Sequence, residues 1–228
     1  MPWFPQRWPP RNAHHIQLYS ALTPNGQKVS IALEELELAY DAHRIDIEND
    51  DQFSDDYQRL SPNGKIPTLT DPDGPGGQQI ILMESGAILL YLADKTGKLI
   101  SADPLLRQEC IQWLFFQMGH IGPMFGQFGH FYKYAAHKTT DDYGKNRYLN
   151  EVRRLLAVLD KRLVGRGFLV GDELTVADIA IVPWVECLTE FYESAEVLNL
   201  AQFNNVERWR ARIVARGAYF RGRNVCGE

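Results

Sequence analysis

The hydrophobic pattern of this chain changes period once, between residues 97 and 104, and that change limits the fold to an α/β layer followed by an all-helical one. Before it, strand-like apolar runs alternate with helical spacing. Ile16-Gln17-Leu18-Tyr19 is the first run, and Val29, Ala32, Leu33 and Leu36 recur at helical intervals behind it. Tyr40 to Ile47 reads as a second strand and Gln52 to Leu60 as a short, weak helical stretch. Ile66 to Thr70 and Gln79 to Met83 flank Asp71 to Gly77, which has turn residues throughout, so the two runs are expected to pair as a hairpin. Ser85 opens an apolar helix that ends near Thr96-Gly97.

After it, every pattern is helical. Asp103-Pro104 forms the entry, proline being suited to a first turn. A long helix then passes Trp113 and Phe116 and must bend or break at Gly122-Pro123. A second runs from about Asp142 to Leu163, and a third begins at Thr175, which forms a capping box with Asp178. The expected division is an irregular extension over 1–14, a sheet domain over 15–96, a linker over 97–103 and a helical domain over 104–228.

Composition excludes several function classes. The formal net charge of -5 gives no support for nucleic-acid binding. Basic residues between Arg208 and Arg223 fall at helical intervals among Trp209, Ile213 and Val214, and read as the solvated face of an amphipathic helix. The three cysteines, Cys110, Cys187 and Cys226, are far apart and lack metal-ligand spacing, which fits a reducing compartment and a cytoplasmic location. His14-His15, His120, His130 and His137 include no i, i+4 pair, so no metal site is expected. No apolar run approaches the ~20 residues of a membrane helix, and no membrane association is expected. Met1 to Asn12 has no continuous apolar stretch of the secretory kind. Its tryptophans either pack onto the body or form a subunit contact.

The junction between the first strand and helix reads Thr23-Pro24-Asn25-Gly26. A helix N-terminus stabilises a thiolate, and thioredoxin-like redox proteins place Cys-x-x-Cys at this point. Here there is no cysteine. A thiolate pocket whose sulfur arrives on a small molecule is the expectation. Asn25-Gly26 is also a strong hairpin signal, but the helical spacing behind it favours a helix start.

Taken together, the sheet-then-helix outline, Ile66-Pro67 before a hairpin, Glu84-Ser85 before Gly86-Ala87-Ile88-Leu89, the Thr175 capping box, Trp209 and Arg212 resemble the soluble glutathione transferases over residues 15 to 217. Within that family, Thr23-Pro24-Asn25-Gly26, Ser61 to Pro67, Gln112 to Phe115 and Gly122 to Gln127 are similar to the Nu class, akin to the prion-forming nitrogen regulators. The resemblance implies a thioredoxin-like α/β domain followed by an all-α domain, glutathione or glutathione disulfide as bound species, and a homodimer. It further implies reductase activity on small-molecule disulfides. The family often has Arg-Pro where this chain has Arg216-Gly217, which leaves the end of its C-terminal helix open.

Glutathione carries a carboxylate and ammonium at its γ-glutamyl end, a thiol, and a glycyl carboxylate. Ser85 at a helix start suits the γ-glutamyl carboxylate, and Glu84 suits the ammonium; the plainer alternative is ordinary capping. The resemblance implies a cis Ile66-Pro67 bond that exposes the backbone of Ile66 to pair with the ligand as a strand does; an ordinary trans proline is the alternative. Lys65 is placed for the glycyl carboxylate, with help from Gln52 unless that residue is simply surface. Ionising a thiol at neutral pH needs its pKa lowered by about two units, or roughly 2.7 kcal/mol. The helix end contributes about 0.3–1 kcal/mol and a charge-assisted hydrogen bond about 1.5–3, so the Thr23 hydroxyl and the Asn25 amide suffice without a base. Tyr19 lies too early and Ser30 too late to replace them. Arg147 matches a Nu-class arginine that can meet a ligand carboxylate, or else forms a surface ion pair. The aromatic run from Trp113 to Tyr134 is core in the main, with some members free to wall an acceptor pocket. Conjugation of electrophiles by the same thiolate, or a non-catalytic regulator role, are the competing functions.

Overall fold

The computed structural model describes residues 2–138 and 140–227. In chain order the strands are β1 (Ile16–Ser20), β2 (Tyr40–Arg44), β3 (Thr68–Asp71) and β4 (Ile80–Met83). The helices are α1 (Pro24–Glu35), α2 (Asp55–Gln58), α3 (Ser85–Thr96), α4 (Pro104–Phe116), α5 (Gly122–Gly129), α6 (Tyr143–Arg162), α7 (Val176–Glu190), α8 (Ala195–Leu198), α9 (Asn204–Val214) and α10 (Gly217–Gly222). They fall into two compact units, one reaching up to Thr96 and taking in the chain from Gly217 onward, the other spanning Gly97–Arg216.

The first unit is a thioredoxin-like layer. Its four strands lie in the order β2-β1-β3-β4. The helical crossover α1 makes β1 and β2 parallel, while β3 and β4 form the expected hairpin. All five residues of β1 are buried, as a strand covered on both faces requires, whereas β4 alternates half-buried and exposed positions at the edge. β2 stops at Arg44, three residues before the expected Ile47, because the Asp46 side chain accepts from Glu48 and Asn49 N–H and starts a 3-10 turn.

Residues 217–228 were expected in the helical domain, and the structure corrects this. The buried face of α9 is Val206, Trp209 and Ile213, but beyond Gly217 the buried residues are Tyr219 and Gly222 while Phe220 is exposed. The apolar stripe thus changes phase, and one amphipathic helix from Arg208 to Arg223 becomes two helices in different units. α10 packs on α1 at Gly222, where an added Cβ would lie 2.6 Å from the Ile31 Cα. Ser30 Oγ donates to the Gly222 carbonyl at 2.7 Å, and Gln27 Nε2 to the Arg223 carbonyl at 3.0 Å.

The N-terminal tryptophans pack onto the body. Trp3 and Trp8 lie, with Ile66, against the buried cluster of Tyr19, Ile45, Tyr57 and Leu60. Trp3 and Gln79 exchange two hydrogen bonds of 2.7 Å.

The second unit is all-helical around α7, which is buried from Val176 to Leu188. The bend expected at Gly122-Pro123 takes the form of a π turn over Gln117–Ile121, with the Gly122 N–H donating to the Gln117 carbonyl. A wider turn accommodates the proline ring and its missing donor without ending the helix. No described helix is long and apolar enough to cross a membrane.

Candidate functional site

Three chain segments of the first unit meet at one cavity. The first is the start of α1. Thr23 adopts an extended backbone and its Oγ1 accepts from the Gly26 N–H at 3.2 Å, so the Asn25-Gly26 pair belongs to a capped helix and not a hairpin. Gly26 is required by close approach: a Cβ there would sit 2.2 Å from the Ala21 carbonyl oxygen. The first turn carries no acidic residue, so its positive end is not neutralised from within the helix. Asn25 Oδ1 accepts from Lys28 Nζ at 2.8 Å.

The second segment precedes β3. The Ile66-Pro67 bond is cis. The turn before it is held from both sides: Tyr57 donates its hydroxyl to the Lys65 carbonyl at 3.0 Å, and the Lys65 N–H donates to Ser61 Oγ at 3.3 Å. The third segment enters α3. Glu84 has φ of 69°, a left-handed conformation that costs a non-glycine residue about 1–3 kcal/mol and is found where function constrains the backbone. It turns the chain so that Ser85, 5 % exposed, begins the helix.

Asn25, Lys65, Ile66, Glu84 and Ser85 line this cavity of about 210 Å³, together with Ser61, Asn63 and Pro67. Lys65 and Glu84 are exposed and bring one charge of each sign to it, beside the donor-rich starts of α1 and α3. The arrangement is complementary to a small zwitterion with carboxylates and an ammonium group.

Comparison with known proteins places the chain in a family. Residues 23–95 match the glutathione S-transferase N-terminal domain, and residues 118–217 match its C-terminal domain. The chain belongs to the glutathione transferase family. It is 45% identical to the disulfide-bond oxidoreductase YghU of Escherichia coli over 95% of this chain and 76% of that one. A Pseudomonas putida glutathione transferase with one glutathione disulfide per subunit superposes with a TM-score of 0.95 at 49% identity, covering 97% of this chain and 96% of that one. A Pseudomonas fluorescens family member with two glutathione bound does so with a TM-score of 0.95 at 51% identity, over 96% and 97%.

Of the other candidates in the first unit, neither Thr23 nor Gln52 lines the cavity. Thr23 caps the same turn as Asn25 but does not line the cavity. Gln52 sits in a 3-10 turn, with Nε2 donating to the Ile47 carbonyl at 3.3 Å. Arg147 is exposed in the first turns of α6, in the second unit, one helical turn before Glu151. Tyr19 is fully buried and stacked on His43 at 4.7 Å, and Ser30 is tied to Gly222, so neither reaches the start of α1. Of the aromatic run, Phe125 and Phe128 are fully buried core while Phe115 and Tyr134 are more than half exposed.

The cysteines of this family member are not poised for chemistry. Burial raises the thiol pKa of Cys110, and pushes those of Cys187 and Cys226 up to about 11. Among the described residues no group of three or more His, Cys, Asp and Glu is placed to hold a metal.

Lys28, which bonds Asn25 and Ser85, is not among the site residues expected from the sequence. The signal was present: it precedes Ala32 by four positions and Leu36 by eight, which puts a charge on the apolar face of α1. Ser61, whose Oγ holds the Lys65 N–H, had no comparable signature.

Proposed function

We propose that this chain is a glutathione-dependent disulfide-bond reductase of the Nu class, working as a cytoplasmic homodimer. One observation carries it: a helix start with no cysteine and no acid opens on a cavity whose walls match glutathione group by group. The names and bound ligands of the similar proteins support the same assignment. Ser85 and the first N–H groups of α3 hold the γ-glutamyl carboxylate, Glu84 the ammonium, the Ile66 backbone the cysteinyl residue, and Lys65 the glycyl carboxylate, with Gln52 behind it. Thr23 and Asn25 direct donors at the sulfur, and Arg147 serves a ligand carboxylate.

Glutathione supplies the reducing thiols: two molecules give up two electrons and become one disulfide, while the substrate disulfide takes up two electrons and two protons and becomes two thiols. The chain's own part is to keep the attacking sulfur ionised and aligned, since exchange rate follows thiolate fraction and leaving-group pKa. Steady-state assays on 2-hydroxyethyl disulfide and on a chloronitrobenzene test this. Disulfide reduction is expected to be far the faster. Faster conjugation, with reduction near background, would make the protein a transferase for electrophiles on the same fold.

A further inference from the structure

Lys28 has no solvent exposure, and it is the one buried lysine among the described residues. Its Nζ donates to Asn25 Oδ1 at 2.8 Å and to Ser85 Oγ at 3.3 Å. These acceptors belong to different elements, the starts of α1 and α3, and both line the cavity. A buried ammonium is unfavourable unless negative charge compensates it. Burial lowers its pKa to about 7, and the Glu84 carboxylate acts in the opposite sense. Glu84 is exposed, so solvent weakens that compensation.

We propose that Lys28 is a positioning residue of the glutathione site: a buried cation that ties the Asn25 amide and the Ser85 hydroxyl into one fixed array and draws compensating charge from the bound tripeptide. This rests on the cavity being the glutathione site. Holding the Asn25 oxygen and the Ser85 oxygen from one ammonium fixes the orientation of both side chains at the cavity wall. A lysine suits the task because its ammonium is a compact charge with three donors, able to serve two side chains at once. Sulfur end and γ-glutamyl end are thereby set by one atom. The ligand's thiolate and carboxylate add to the opposite charge that Glu84 brings to the cavity wall.

Calorimetry with glutathione and glutathione disulfide, on native protein and Lys28→Met, tests this, together with pH titration of the bound thiol by its thiolate absorbance. The variant is expected to bind both ligands about tenfold more weakly, as loss of a charge-assisted hydrogen bond implies. It should also ionise the bound thiol at higher pH, with a melting temperature no lower than native. Native affinity and native thiol titration in the variant would overturn the role, as would a lowered melting temperature with both ligand readouts intact. Native protein that binds neither ligand would overturn the glutathione reading itself, and this proposal with it. If Lys28→Met does not fold, native protein labelled at the lysine side-chain nitrogens gives a second measurement. The slowly exchanging buried ammonium should shift on addition of glutathione disulfide, and binding without that shift overturns the proposal.

Discussion

Two helices of this chain start with the same cap and put it to opposite use. Thr23 before α1 has φ and ψ of -136° and 160°, and Thr175 before α7 has -126° and 169°. They diverge three residues on. α7 has Asp178 there, fully buried, accepting from the Leu169 N–H, the Thr175 N–H and hydroxyl, and the Trp209 indole at 2.8–3.0 Å. α1 has Gly26, with no side chain and no acid anywhere in its first turn. One helix end is closed by an anion of its own, and the other has no acid in its first turn.

The comparison breaks hardest at Asp178. Asp178→Ala leaves buried donors on Leu169, Thr175 and Trp209 unmatched at about 1–3 kcal/mol each, so urea titration should show a loss of about 3–5 kcal/mol. Glutathione affinity of the folded protein should not change. A loss under about 1 kcal/mol would mean that α7 does not depend on its internal anion. At α1 the matching experiment is to supply the missing acid. Asn25→Asp puts a carboxylate where the ligand's sulfur is to be ionised. If the thiol pKa returns by about two units, disulfide turnover near neutral pH falls about 100-fold. Folding stability should hold, since an acid in a first turn is favourable to the helix and Lys28 lies beside it. Unchanged turnover would show that the thiolate is held elsewhere.

Lys28 sharpens the contrast through pH. Its ordinary value of 10.5 applies to the unfolded chain and about 7 to the folded one. Between those values the unfolded chain binds the extra proton, so stability rises with pH across that window, and the cost of the buried charge is present in full below about 7. The Glu84 charge narrows the window by favouring the ammonium in the folded state. Denaturant midpoints measured across it should climb in native protein and flatten in Lys28→Met; equal slopes would place the ammonium in contact with solvent. The smallest expected effect is that of replacing Cys110, Cys187 and Cys226 together by Ala or Ser. Turnover should stay essentially native in protein that remains folded, and its loss would return the catalytic sulfur to the chain.

Much of this molecule was legible in the residues. The hairpin around Asp71 to Gly77, the capping box at Thr175 and the helix starts at Pro24, Ser85 and Pro104 are local, set by turn chemistry and by apolar spacing within a few residues. Asn25, Lys65, Ile66, Glu84 and Ser85 could be named because each stands next to a proline, a strand end or a helix start, and the structure brings these five to one cavity. Gln52 and Arg147 carried no such local mark, and Gln52, in the same unit, does not line it.

The sequence by itself determined where helices begin, which face of each is apolar, and that no cysteine stands at the start of α1. Those are properties of neighbours along the chain. The tertiary structure alone decided what occupies the space beneath Asn25 and Ser85, because Lys28 reaches Ser85 across 57 positions of sequence. It also decided that α10 lies on α1, where Gly222 meets the backbone of Ile31 so closely that only a residue without a Cβ fits. Such contacts depend on how a sheet orders its strands and how tightly two helices approach, and no periodicity in the chain records either.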